Sequence, residues 1–112
     1  MKLVVISGPA NSGKMPLARE LLKTDRTLAL VHRDHLRQHL ATVVDEWVLT
    51  KLMACLADGL IRYGFSPLIC AWNLDAADRS LSTEMAQDYQ IPLEWLDVRE
   101  PDVAAKIPPL EG

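Results

Sequence analysis

The sequence predicts a three-layer α/β domain built on a small, mainly parallel sheet. Three observations predict it. Short β-branched apolar runs alternate with longer segments of helical periodicity, in the order β-α-β-α-β-α-β. The first three runs are apolar at consecutive positions, as in strands covered on both faces. Turn residues separate each unit from the next. At 112 residues the chain has the length of a single domain, residues 1–112.

Leu3 to Ile6 is the first strand, closed by Ser7-Gly8. Leu17, Leu21 and Leu22 then fall at helical spacing, with Arg19, Glu20 and Lys23 outside. Pro16 has no N–H and is tolerated only in the first turn, so the helix starts near Gly13; Thr24-Asp25 closes it. Thr27 to Val31 is a second strand, and the polar segment His32 to Arg37 opens a short helix. The longest helical pattern runs from Asp45 to Tyr63. Trp47, Val48, Leu52, Leu56, Leu60 and Ile61 form its apolar stripe, which places Trp47 in the core, and Gly64 suits the position after its end. Pro67 to Trp72 is a third strand. Asn73-Leu74-Asp75 is a turn with an N-cap for a helix reaching about Tyr89. Leu93 to Val98 is the fourth strand, where Trp95 alternates with Leu93 as strand packing. Arg99 to Gly112 contains Pro101, Pro108 and Pro109 and has little helical pattern outside Asp102 to Lys106.

Composition narrows the functional classes. A formal charge of −3 gives no global attraction to nucleic acid or to an anionic membrane. The distribution is uneven: residues 1–40 carry seven Lys/Arg against three acids, and residues 41–112 carry five against twelve. A basic N-terminal third suits a local anion site. No run reaches the ~18 apolar residues of a membrane span, and the apolar start is too short for a signal peptide. Cys55 and Cys70 lie in apolar segments without CxxC spacing. They are expected as buried, reduced thiols, which suits the cytoplasm. His32, His35 and His39 lack further ligands and are expected on a solvated helix face, with no metal bound.

The segment Gly8-Pro9-Ala10-Asn11-Ser12-Gly13-Lys14 has the spacing G-x-x-x-x-G-K, after a strand and before a helix. That is the context of a P-loop, whose backbone N–H groups wrap a phosphate while the lysine supplies a full charge. The expected fold is therefore a P-loop NTPase-like domain, with Gly8, Ser12, Gly13 and Lys14 as the nucleotide-binding residues. Two departures follow. Met15 stands where Ser or Thr would hold Mg²⁺, and a soft thioether does not ligate that hard ion. Pro16 removes a further N–H donor. ATP is expected as a weakly held ligand, without Mg²⁺.

Arg33-Asp34-His35-Leu36-Arg37, after the second strand, resembles the R-D-x-x-R segment of the polynucleotide 5′-kinase branch of P-loop kinases. The resemblance implies Asp34 as the general base toward an attacking hydroxyl and Arg37 as the group that positions the acceptor phosphate. Taken by themselves, the same residues also suit an N-cap and a surface charge at i, i+3. Where the family has Asp-Thr-Asn-Leu this chain has Ala71-Trp72-Asn73-Leu74, so an acid is lost and Trp72 adds bulk near the cleft. The resemblance covers roughly residues 1–100. An arginine-bearing lid and a fifth strand are not evident, Arg79 and Arg99 being the late arginines.

These departures strike the metal ligand, a phosphate donor, an acid and the lid. The first expectation is a kinase-like pseudoenzyme: a regulator or inhibitor that binds a protein partner, or weakly a nucleotide or nucleic-acid end. An exposed sheet edge would serve docking or a homodimer. The alternative is an active ATP-dependent kinase acting on a nucleic-acid 5′-hydroxyl or a small alcohol, with Lys14, Asp34 and Arg37 in the roles given. An ATPase switch lacks an evident Walker-B carboxylate.

Overall fold

The computed structural model describes residues 1–8, 14–71 and 76–98. Its elements are β1 (Leu3–Ser7), α1 (Lys14–Thr24), β2 (Leu28–His32), α2 (Arg33–Leu40), α3 (Glu46–Arg62), β3 (Ser66–Ala71), α4 (Ala76–Tyr89) and β4 (Leu93–Asp97). The anticipated alternation holds, and the strands pair in the order β2-β3-β1-β4, all parallel. Val5 sits in register with Ile69 on one side and Trp95 on the other.

The consecutive apolar residues of β1 explain the layering. Leu3 and Val5 face one way and join Val31, Met53, Ala57, Ile69 and Ala86 in one core. Val4 and Ile6 face the other way and join Leu17, Ala18, Leu21, Leu28, Leu68 and Leu96. So α1 covers one face of the sheet, while α3 and α4 cover the other. Trp95 packs against the α3/α4 side, as expected from its alternation with Leu93. Successive connections out of β1 and β3 leave on opposite faces, which opens a crevice beyond their carboxyl ends. Residues 9–13 and 72–75 lie outside the described residues, and so do the expectations placed on Ser12, Gly13, Trp72 and Asn73. The tail beyond Val98 also lies outside them.

Helix α3 ends as its sequence directs. Gly64 takes φ +89, donates its N–H to Ile61 O, and lets the Phe65 N–H reach Leu60 O at 2.9 Å. This pair of bonds caps the last carbonyls of a helix, and glycine adopts the required backbone without a Cβ penalty.

The rotation of α3 differs from the expectation. Its buried residues are Leu49, Met53, Ala57 and Ile61. Trp47 is 67% exposed rather than in the core, and Leu52 and Leu56 are 37% and 45% exposed. Two apolar stripes compete on this helix, and the sheet takes the one with the smaller Ala57 and the flexible Met53, which seat closely on Val5 and Ile69. Cys70 is buried as expected, but Cys55 is exposed, because it belongs to the stripe that faces away.

Candidate functional site

The chemistry-bearing residues gather at the carboxyl ends of the strands. After β1, Gly8 is buried and takes φ +151, backbone that residues with a Cβ seldom adopt. From the first turn of α1, the Lys14 Nζ reaches back and donates to Gly8 O at 2.8 Å. Met15 beside it is half-buried, and Pro16 is exposed in the first turn, where a missing N–H leaves no helical bond unmade. Burial lowers the Lys14 pKa from its ordinary value, while the fields of Cys70 and Asp34 push it back up.

The end of β3 contributes Cys70, 1% exposed. Burial pushes its thiol up to about 11, against the pull of Lys14 and with the help of Asp34. His32 ends β2, opposite Cys70 in register, and is not on the face of α2 as expected. Its Nδ1 accepts the His35 N–H and so caps α2, with the two rings stacked at 4.2 Å. Burial, His35 and Lys14 lower the His32 pKa, and Asp34 opposes them. Lys14, His32, Asp34 and Cys70 therefore share one electrostatic neighbourhood.

The arginines of the R-D-x-x-R segment are engaged within the chain. Arg37 Nη1 donates to Asp34 Oδ1 at 2.6 Å, and Arg37 Nη2 donates to Glu46. Arg33 Nη1 donates to Glu46 Oε2 at 2.8 Å, and Arg33 Nη2 to Thr50 Oγ1 at 2.8 Å. Glu46, in the first turn of α3, joins both arginines and was not singled out from the sequence. Its local signal is only that of an acid complementing a helix N-terminus. Hydrogen bonds from Arg33 and then Arg37 hold the Glu46 carboxyl below its ordinary pKa. Asp34 and Arg37 form the i, i+3 pair that the residues alone suggest.

Glu46 is 65% exposed, so its carboxylate is solvent-screened, although the Arg33 side chain it pairs with is only 13% exposed. Glu46→Gln is expected to lower stability near neutral pH by less than about 1 kcal/mol, with the difference shrinking in high salt. The sign with pH follows from the lowered carboxyl. The contribution is present above the unfolded pKa and is lost as pH falls through the folded one, so wild type and variant converge in acid. Urea unfolding at neutral and acid pH checks this.

Among the described residues, no group of three or more His, Cys, Asp or Glu is placed to hold a metal ion. No described helix is long and apolar enough to cross a membrane.

No family model matches the chain, and no curated protein matches it. Solved structures do. The chain is similar to a chain of the Pnkp1/Rnl/Hen1 complex, at TM-score 0.69 and 21% identity, over 99% of this chain and 40% of that one. It is similar to the Mycobacterium tuberculosis APS kinase CysC in complex with AMPPNP and APS, at TM-score 0.71 and 19% identity, over 96% of this chain and 68% of that one. An unliganded sugar kinase from Janibacter sp. matches at TM-score 0.66 and 20% identity, over 100% of this chain and 69% of that one. This chain thus spans about two fifths of the Pnkp1/Rnl/Hen1 chain it matches. At these identities the likeness establishes the fold, which is that of P-loop kinases.

Proposed function

We propose that the chain is a single kinase-like P-loop domain of the polynucleotide 5′-kinase-like branch, which holds a phosphate-bearing ligand weakly and without Mg²⁺. In this reading it acts in the cytoplasm as a protein-binding regulator or inhibitor and not as a phosphotransferase. The observation that carries it is the half-buried thioether of Met15 directly after Lys14, where metal-dependent transfer needs a hydroxyl. Gly8, Ser12, Gly13 and Lys14 form the anion cradle, with ATP as the first ligand to test. The presence of a similar fold in the Pnkp1/Rnl/Hen1 complex supports a role in assembly with other proteins.

Calorimetry with ATP, with and without Mg²⁺, tests it. Wild type is expected to bind weakly and indifferently to Mg²⁺, and Met15→Ser/Pro16→Thr to gain Mg²⁺-dependent affinity. Phosphoryl transfer from labelled ATP to a 5′-hydroxyl or small-alcohol acceptor by the wild type would overturn the reading.

One observation favours a second reading, an active ATP-dependent kinase. Asp34 lies within the field of Lys14, so a general base stands near the residue that would hold the transferred phosphoryl group. In that case Arg37 grips the acceptor phosphate, and Lys14→Ala and Asp34→Asn each abolish turnover.

A further inference from the structure

Helix α3 carries a second apolar stripe on the side away from the sheet: Val48, Leu52, Cys55, Leu56, Gly59 and Tyr63. Tyr63, just past the helix end, is 84% exposed, and Cys55 is exposed. A helix that is apolar around most of its girth belongs where both sides are covered. Within it Val48 and Cys55, and Leu52 and Gly59, lie seven residues apart as in a coiled-coil seam, and Asp45 and Arg62 continue the two rows at their ends. A Cβ built on Gly59 meets nothing within 4 Å, so a second helix can approach closely there.

We propose that this face of α3 pairs with the same face of a second copy of the chain, the two helices running antiparallel about a two-fold axis. Charge complementarity selects that occupant and that direction. In an antiparallel pair, Leu52 meets Cys55 of the second copy and Val48 meets Gly59. At the two ends, Asp45 meets Arg62. Lys51 and Asp58 share one flank of the stripe, and same-flank residues face each other in antiparallel pairs, so Lys51 meets Asp58 of the second copy, twice by symmetry. A parallel pair would instead set Asp45 on Asp45 and Arg62 on Arg62.

Lys51 is exposed and makes no ion pair among the described residues. The Asp45 side chain makes no capping bond. Arg62 and Asp58 bond each other and Tyr89, yet their side chains remain 69% and 38% exposed. Val43, 99% exposed, and Tyr63 lie at opposite ends of α3, so the antiparallel arrangement brings each to the other's end. One helix pair lies at the low end of interface size, which makes this a reversible, weak dimer.

Sedimentation velocity on the full chain, from about 1 μM to about 1 mM, tests it. A concentration-dependent monomer–dimer equilibrium is expected, and Leu52→Glu raises the dissociation constant at least about tenfold. Lys51→Glu weakens the dimer, while Lys51→Glu/Asp58→Lys restores it, a rescue that a folding defect does not give; circular dichroism follows the fold in each variant. A short-spacer bismaleimide is expected to join two wild-type chains through Cys55 and to fail with Leu52→Glu. A monomer throughout the range overturns the proposal. So does a dimer indifferent to Leu52→Glu, which would assign association to a sheet edge. Cys55 labelling as slowly as buried Cys70 in the dilute monomer also overturns it, by showing that the chain's own residues beyond Val98 cover this face.

Discussion

Lys14→Met is expected to lower affinity for ATP by about 10–100-fold while the domain stays folded. A hydrogen bond to a charged group contributes about 1.5–3 kcal/mol, and removing the ammonium forfeits that at the proposed phosphate. The fold depends little on the charge. Among the described residues Lys14 donates a single hydrogen bond, to Gly8 O, and its burial already works against the ammonium. Lys14→Arg is not expected to rescue binding, because a planar fork does not substitute for a compact ammonium on a short tether. Calorimetry reads the affinity, and thermal unfolding without ligand reads the fold. Equal ATP affinity in wild type and Lys14→Met would mean that the anion is held elsewhere.

The second large effect is alkaline. Between about pH 9 and about pH 11 the Cys70 thiol is expected to withdraw about 2–3 kcal/mol of stability. The sign follows from which state keeps the proton. An ordinary thiol ionises near 9.0, whereas folded Cys70 holds its proton up to about 11. Across that window the unfolded chain sheds a proton that the folded chain retains, so rising pH favours unfolding. Lys14 acts in the opposite sense. Its folded pKa lies below the ordinary 10.5, so through that interval the unfolded chain binds more protons and stability gains with pH. Lys14→Met therefore exposes the full loss due to Cys70, and Cys70→Ala, less stable near neutral pH, flattens the curve. Urea midpoints measured from about pH 8 to about pH 11 decide it. An unchanged slope in Cys70→Ala would assign the loss to other groups.

The elements were legible because the first three strands are apolar runs, the fourth alternates, and several boundaries carry a residue with a strong backbone preference. Gly64 after α3 is the clearest case. What was not legible is what tertiary structure decides. The two stripes of α3 are both apolar, and only the sheet beneath Met53 and Ala57 selects between them, which is why Trp47 and Cys55 turn outward. The site was legible as far as chain order reaches: Lys14 after β1, Asp34 and Arg37 after β2. Glu46 was not, since its two arginine partners lie nine and thirteen residues away and only the packing of α2 on α3 brings them together. Nor was the placement of His32, which the sequence assigns to a helix and the fold uses to end a strand and cap the next turn.

The shared grip of Glu46 on Arg33 and Arg37 has a consequence for selectivity. In the reading that places an acceptor phosphate at Arg37, the arriving anion meets a guanidinium already paired with Asp34 and Glu46, so recognition there is an exchange of one anion for another. Only the difference between the newcomer and a carboxylate counts toward affinity. On that reading the position discriminates by charge density, favouring a phosphate dianion over a singly charged competitor.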